Sequence, residues 1–259
     1  MPDLADMLWI EARKALRSKM PLWTGLGSLA MPMGIAFLIF VARNPEISQR
    51  MGLISAKANL LAYSATDWPT YLVLVGAILS AGGLFLFVLT ISWVFGREFA
   101  DGTLKDMLAV PVQRATILLA KFIVVAGWSV AIAVVVLIVA LVMGALIGLP
   151  GGSPAVIVRG SAVMLAAGAL SIVVTIPFAL AASVGRGYLL PLGVALFMAL
   201  LTNLAALAGW GEYFPWAVPG LYAQGKVPLA PTSFGIVLLT GIAGMAATYL
   251  WWKYADQNK

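Results

Sequence analysis

Residues 122–148 read FIVVAGWSVAIAVVVLIVALVMGALIG, and no charge interrupts the chain between Lys121 and Arg159. That gap holds 37 uncharged residues, well beyond the roughly 20 that carry an α-helix across a hydrocarbon layer. Working outward, the uncharged stretches 20–42, 68–96, 160–185, 187–211 and 227–252 hold 23, 29, 26, 25 and 26 residues. The reading is an all-α integral membrane protein, one transmembrane domain over 1–259, with six transmembrane helices near 21–42, 70–95, 122–148, 161–184, 188–210 and 232–252. Composition agrees: 62% of the 259 residues are hydrophobic and 10% charged, against roughly 25% charged in soluble domains. So little polar surface cannot clothe a core in water, which excludes a soluble globule.

Cysteine and histidine are both absent, which removes disulfides, thiolate chemistry, imidazole metal sites and the commonest general base. No catalytic residue and no metal site is expected of the chain itself. The charges instead report topology. With the N-terminus inside, eleven cations fall on the cytoplasmic side (Arg13, Lys14, Arg17, Lys19, Arg97, Lys105, Arg114, Lys121, Arg186, Lys253, Lys259) and five outside (Arg43, Arg50, Lys57, Arg159, Lys226). The positive-inside bias therefore places both termini in the cytoplasm.

Residues 3–20 precede a run of full spanning length rather than a short signal-peptide core. On a helical wheel Leu4, Leu8, Ala12, Ala15 and Leu16 share one side and Asp3, Asp6, Arg13, Lys14 and Arg17 the other, with Ile10 and Glu11 breaking the pattern. This is either an interfacial helix or a basic flank anchoring the first span. Pro177 and Pro191 fall inside the fourth and fifth spans, as hinges or as static kinks satisfied by neighbours such as Thr175.

The densest charge cluster after the N-terminus follows the second span: FGREFADGTLKDMLAVPVQR, residues 95–114. Asp101 or Thr103 can cap a short helix there, Pro111 would end it, and Leu104, Met107 and Leu108 fall at i, i+3 and i+4. An apolar face on a short helix outside the membrane calls for a protein groove or the bilayer surface. The plainer alternative is a loop whose Arg97, Arg114 and Lys121 snorkel to phosphates.

This string closely resembles the cytoplasmic loop of type-2 ABC exporter permeases, nearest the bacitracin and lantibiotic self-protection branch. The family pattern maps onto Glu98, Gly102-Thr103, the turn Leu104-Lys105-Asp106-Met107-Leu108, Pro111, Arg114 and Lys121. The resemblance implies that these residues, with Asp101, form a coupling helix between spans 2 and 3 that docks on a separate ATPase. A second resemblance lies in Gly211 to Tyr222, where Tyr213, Phe214, Pro215, Trp216 and Pro219 match a Tyr-Phe-Pro-Trp-x-x-Pro string before the sixth span. It implies a short external re-entrant element over the translocation path; an aromatic belt alone would also place these rings in the headgroup layer.

No Gly-x-x-x-x-Gly-Lys-Ser/Thr occurs, so the chain lacks the phosphate cradle of an ATPase. The resemblance implies that ATP and Mg bind a partner ATPase subunit. It also implies a second permease copy or paralogue, no nucleic-acid partner, and a multi-pass location in the bacterial plasma (inner) membrane. No acidic residue falls inside the expected spans, which argues against proton or sodium coupling. That fits a path of apolar walls with groups such as Ser80, Thr90, Ser92, Ser171, Thr175, Thr202 and Asn203. The leading expectation is an exporter subunit for amphipathic peptides, antibiotics or lipid-linked molecules. The alternatives are a non-transporting anchor or sensor, and a lipid-processing enzyme using Glu98, Asp101 and Asp106 as acid, base or magnesium ligands.

Overall fold

The computed structural model describes residues 4–44, 46, 67–109, 112–225 and 228–255, without the side chains of 42, 43, 105, 106 and 108. In chain order the helices are α1 (Leu4–Leu16), α2 (Met20–Arg43), α3 (Trp68–Ala100), α4 (Leu104–Ala109), α5 (Arg114–Leu146), α6 (Pro154–Thr175), α7 (Phe178–Val184), α8 (Leu189–Leu207), α9 (Val218–Gln224) and α10 (Pro231–Tyr254). A 3-10 turn at Gly211–Tyr213 precedes α9, and no strand occurs among the described residues. Six helical segments are long and apolar enough to span: α2, α3, α5, α6 with α7, α8 and α10. Each falls on an expected span, so this is a multi-pass membrane protein. Arg50 and Lys57, and with them most of the first connecting segment, lie outside the described residues.

Two boundaries differ from expectation in a consequential way. Helices α3 and α5 have 33 residues each, about 50 Å at 1.5 Å per residue, against a hydrocarbon layer near 30 Å. Both overshoot at the same end, through residues 96–100 and 114–121, where charge was expected to end the helix. Glu98 and Lys121 are thus interior residues of the long helices, and both are buried. The helices continue because those charges are paired there.

Proline acts differently at its two positions. Pro177 divides the fourth span, with α6 ending at Thr175 and α7 restarting at Phe178. Thr175 Oγ1 donates to the Ile172 carbonyl at 2.6 Å. Helix α10 lies directly on this break: a Cβ at Gly244 would stand 2.7 Å from the backbone N and Cα of Pro177. Only glycine lets the two backbones approach so closely. Pro191, expected as an interior kink, is instead the third residue of α8, where its missing N–H leaves no helical bond unmade.

Helix α3 is central, packing on α2, α5, α6, α7, α8 and α9. One core cluster, toward the end holding α1, includes Ile91, Phe95, Phe122, Phe178 and Trp252. A second, toward the opposite end, includes Tyr71, Leu72, Phe87, Val136 and Met164. The hydroxyls expected along a path mostly serve their own helices: Ser80 donates to Gly76, Thr90 to Leu86, Ser171 to Ala167 and Thr202 to Met198. Five of these expected path residues, Ser80, Thr90, Ser92, Ser171 and Thr175, are buried in the bundle.

Candidate functional site

At the end of the bundle that carries α1, four charges from three helices meet. Lys121 of α5 has no exposed surface, and its Nζ reaches Glu98 Oε1 of α3 at 2.7 Å, Glu11 Oε2 of α1 at 3.1 Å and the Val94 carbonyl at 2.9 Å. Lys14 Nζ closes the ring at 2.7 Å from Glu11 and 3.3 Å from Glu98. Two carboxylates and two ammoniums leave the cluster neutral, which makes its burial tolerable. Lys121 therefore does not snorkel.

The cluster also corrects the helical wheel of the N-terminus. The buried residues of α1 are Met7, Glu11 and Ala15, with Leu4, Leu8 and Ala12 packed beside them. The inward stripe is thus 4, 7, 8, 11, 12, 15, and Glu11 stands in it rather than breaking it. Leu16, assigned to the apolar side, is 66% exposed. The missed signal was Lys121 itself, a cation at the head of a long apolar run that needs a buried counterion.

Burial pushes the Glu11 carboxyl up, but the ammoniums of Lys121 and Lys14 outweigh it and hold it below the ordinary 4.5. Burial pushes the Lys14 ammonium down, and Glu11 and Glu98 more than compensate, raising it above 10.5. A depressed carboxyl stabilises above its unfolded value and loses that contribution as pH falls through its folded value. A raised ammonium stabilises below its unfolded value and loses it as pH rises through its folded one. Amide exchange across residues 4–16 should therefore show α1 equally protected through the neutral range and released in acid below 4.5. Protection persisting unchanged at still lower pH would contradict this pairing.

The short helix α4 hangs between the two overshooting ends of α3 and α5. Of the two expected caps, Asp101 closes α3, with its backbone N–H on the Arg97 carbonyl and its carboxylate 3.0 Å from Arg97 Nε, and Thr103 stands at the N-cap position of α4. Gly102, at φ +70°, makes the reversal in a region that favours glycine. The Thr103 carbonyl accepts the first bond, from Met107 N–H at 3.1 Å.

Leu104 was expected on an outward docking face, but it is buried in the chain's own core, and Met107 packs half-buried beside it. Its six-residue helix is too short to present one apolar face to the bundle and another to a partner. Asp101, Gly102, Thr103 and Ala109 are the exposed rim. The side chains of Lys105, Asp106 and Leu108, and the whole of Pro111, lie outside the described residues. Arg114 donates to the Trp252 carbonyl, so a cation meets the orphan carbonyls of α10.

Two of the three carboxylates that an interfacial enzyme would use are engaged in ion pairs, Glu98 with Lys121 and Lys14 and Asp101 with Arg97, and the side chain of the third, Asp106, lies outside the described residues. Among the described residues no three acidic groups gather to hold a metal ion.

At the opposite end, Tyr213 to Gln224 folds into the 3-10 turn, a further turn and α9, which packs on α3 and α6. Ala217, Val218 and Pro219 are buried, while Tyr213 is exposed. Phe214 and Trp216 are half-buried with rings 5.5 Å apart, and Pro215 is half-buried between them. Trp216 also meets Phe178 edge-on at 6.4 Å, and Phe178 directly follows the break at Pro177. Through Trp216 the aromatic segment thus reaches past the middle of the fourth span, to a residue of the core cluster toward the α1 end.

Residues 7–202 match the family model described as ABC-2 family transporter protein. The chain is also similar to the bacitracin transport permease protein BCRB of Bacillus licheniformis, 26% identical over 199 residues that cover 76% of this chain and 94% of that one. The matched region takes in the four-charge cluster, α4 and five of the six spans. The chain therefore belongs to the ABC-2 transporter family, near the bacitracin branch, as a transmembrane permease subunit that works with an ABC ATPase.

Proposed function

We propose that the chain is the permease of an ATP-driven exporter in the plasma (inner) membrane, with both termini cytoplasmic and a second copy or a paralogue completing the path. ATP and Mg bind the partner ATPase. The cargo is an amphipathic peptide, antibiotic or lipid-linked molecule, a reading supported by similarity to a bacitracin permease and by largely apolar spans. The described cations of the sequence-derived topology support the orientation, since those near α1, α4 and the end of α10 share one end of the bundle and Arg159 lies at the other.

The observation that carries the reading is the mounting of α4. Leu104 plugs it into the core shared with Phe95 and Trp252, and Glu98 and Lys121 tie the helices on either side of it together. Close-packed interiors transmit displacement rather than absorb it, so a push on the exposed rim moves α3 and α5 together. From the far end Tyr213, Phe214, Pro215, Trp216 and Pro219 act as an external lid, and Trp216 reaches inward to Phe178 beside the Pro177 break.

Because Leu104 is buried, charging it would disrupt the bundle as well as any docking. The cleaner test is Thr103→Trp with Ala109→Trp, both on the exposed rim, after mild affinity purification of the tagged chain from its native membrane. The expected result is co-purification of an ATPase with the unaltered chain, and a loss of about tenfold or more in its association with the double variant, as for a disrupted interface anchor. Thermal melting should stay unchanged. An ATPase that binds and turns over equally with both proteins would rule out α4 as the coupling element; no ATPase at all would favour the anchor reading.

A further inference from the structure

At the end opposite α1 a cavity of about 560 Å³ opens between the starts of α3, α6 and α10 and the end of α9. Its walls are aliphatic and aromatic, with Leu72, Gly76 and Met164 at its depth and Tyr222 beside Phe234, rings 5.8 Å apart and edge to face, at one side. From Pro69 near the mouth to Gly76 is seven residues of α3, about 10 Å along the axis.

The mouth carries one cation among the described lining residues, Arg159, which is exposed and whose guanidinium has no ion pair or hydrogen bond among the described residues. Three long helices, α3, α6 and α10, start around it, and helix starts carry partial positive charge. Asp67, the acidic residue at the start of α3, is turned onto its own helix and accepts from Thr70 N–H at 3.0 Å.

We infer that this cavity binds an anionic phospholipid of the adjacent leaflet, one acyl chain lying against Leu72, Gly76 and Met164 and the phosphate on Arg159. An apolar shaft about 10 Å deep suits a hydrocarbon chain, not a polar solute. A free cation at its rim suits a headgroup of net negative charge. The depth argues against a free anion, which would gain nothing from the apolar walls. One wall is α9, so the lipid also props the aromatic segment against α3 and α6. This binding needs neither ATP nor a partner chain, and it stands or falls apart from the transport reading.

The test is native mass spectrometry of the purified full chain with phosphatidylglycerol or phosphatidylcholine of matched acyl chains. Phosphatidylglycerol should be retained about fivefold better, the worth of one interfacial arginine. Arg159→Gln should erase that preference without changing thermal melting, and Val163→Trp should fill the cavity and reduce retention of both lipids. Equal retention of the two lipids by the unaltered chain would overturn the assignment. So would a preference that survives Arg159→Gln, or displacement of phosphatidylglycerol by millimolar inorganic phosphate alone.

Discussion

Replacing Lys121 with methionine should destabilise the protein by about 3–5 kcal/mol, because it removes the fully buried cation shared by two buried carboxylates and leaves only the partly exposed Lys14 to offset them. Glu98 and Glu11 would each lose a direct partner, and the Val94 carbonyl would lose its ammonium donor. Lys14 cannot substitute, being partly exposed and already engaged by both carboxylates. Helix α1 should detach first, since its inward stripe is pinned at Glu11. Thermal melting in detergent and proteolysis within residues 4–16 read the two effects. The quadruple variant Glu11→Met, Lys14→Met, Glu98→Met, Lys121→Met should recover most of the lost stability, because an apolar replacement of a whole buried ion cluster is often neutral or better. A single variant that melts like the unaltered protein would show that the cluster does not hold α1.

Truncating Trp252 to alanine should cost a similar amount, about 3–5 kcal/mol, the range for emptying a fully buried aromatic position. Its side chain has no exposed surface. The ring meets Phe99 of α3 edge-on at 6.0 Å, its Nε1 donates to Ser183 Oγ of α7 at 2.9 Å, and its backbone carbonyl accepts from Arg114 of α5. One residue near the end of α10 therefore joins three other helices beneath α4. Trp252→Phe should cost far less, about 1 kcal/mol for the lost hydrogen bond, since Ser183 Oγ still donates to the Ala179 carbonyl. Calorimetric melting of the two variants separates packing from hydrogen bonding. Equal losses in both would place the energy in the indole N–H rather than in the filled volume.

The two variants act at the same end of the molecule, and that end shows how far sequence reading reaches. The six spans were legible because a hydrocarbon layer imposes a length on any uncharged run, and only helices satisfy their backbone within it. The coupling segment was legible as a string, through Gly102-Thr103 and the turn that follows. The orientation of Leu104 was not, because i, i+3, i+4 spacing marks an apolar face without saying what covers it. The aromatic segment before α10 was recognisable by its prolines and rings, yet its reach to Phe178 depends on how α9 sits between α3 and α6.

What the amino-acid order determined by itself was local and solvent-driven: six crossings, an amphipathic N-terminus, a short helix after the second span, and no nucleotide cradle. What only the tertiary structure decided was which distant charges meet. Glu11 and Lys121 are 110 positions apart, and along the chain one spoils a helical face while the other resembles a membrane-edge lysine. Burying either alone would be prohibitive. Long-range packing of α1 on α5 brings them together, and their mutual neutralisation is the physical reason α3 and α5 run on past the points where charge was expected to end them.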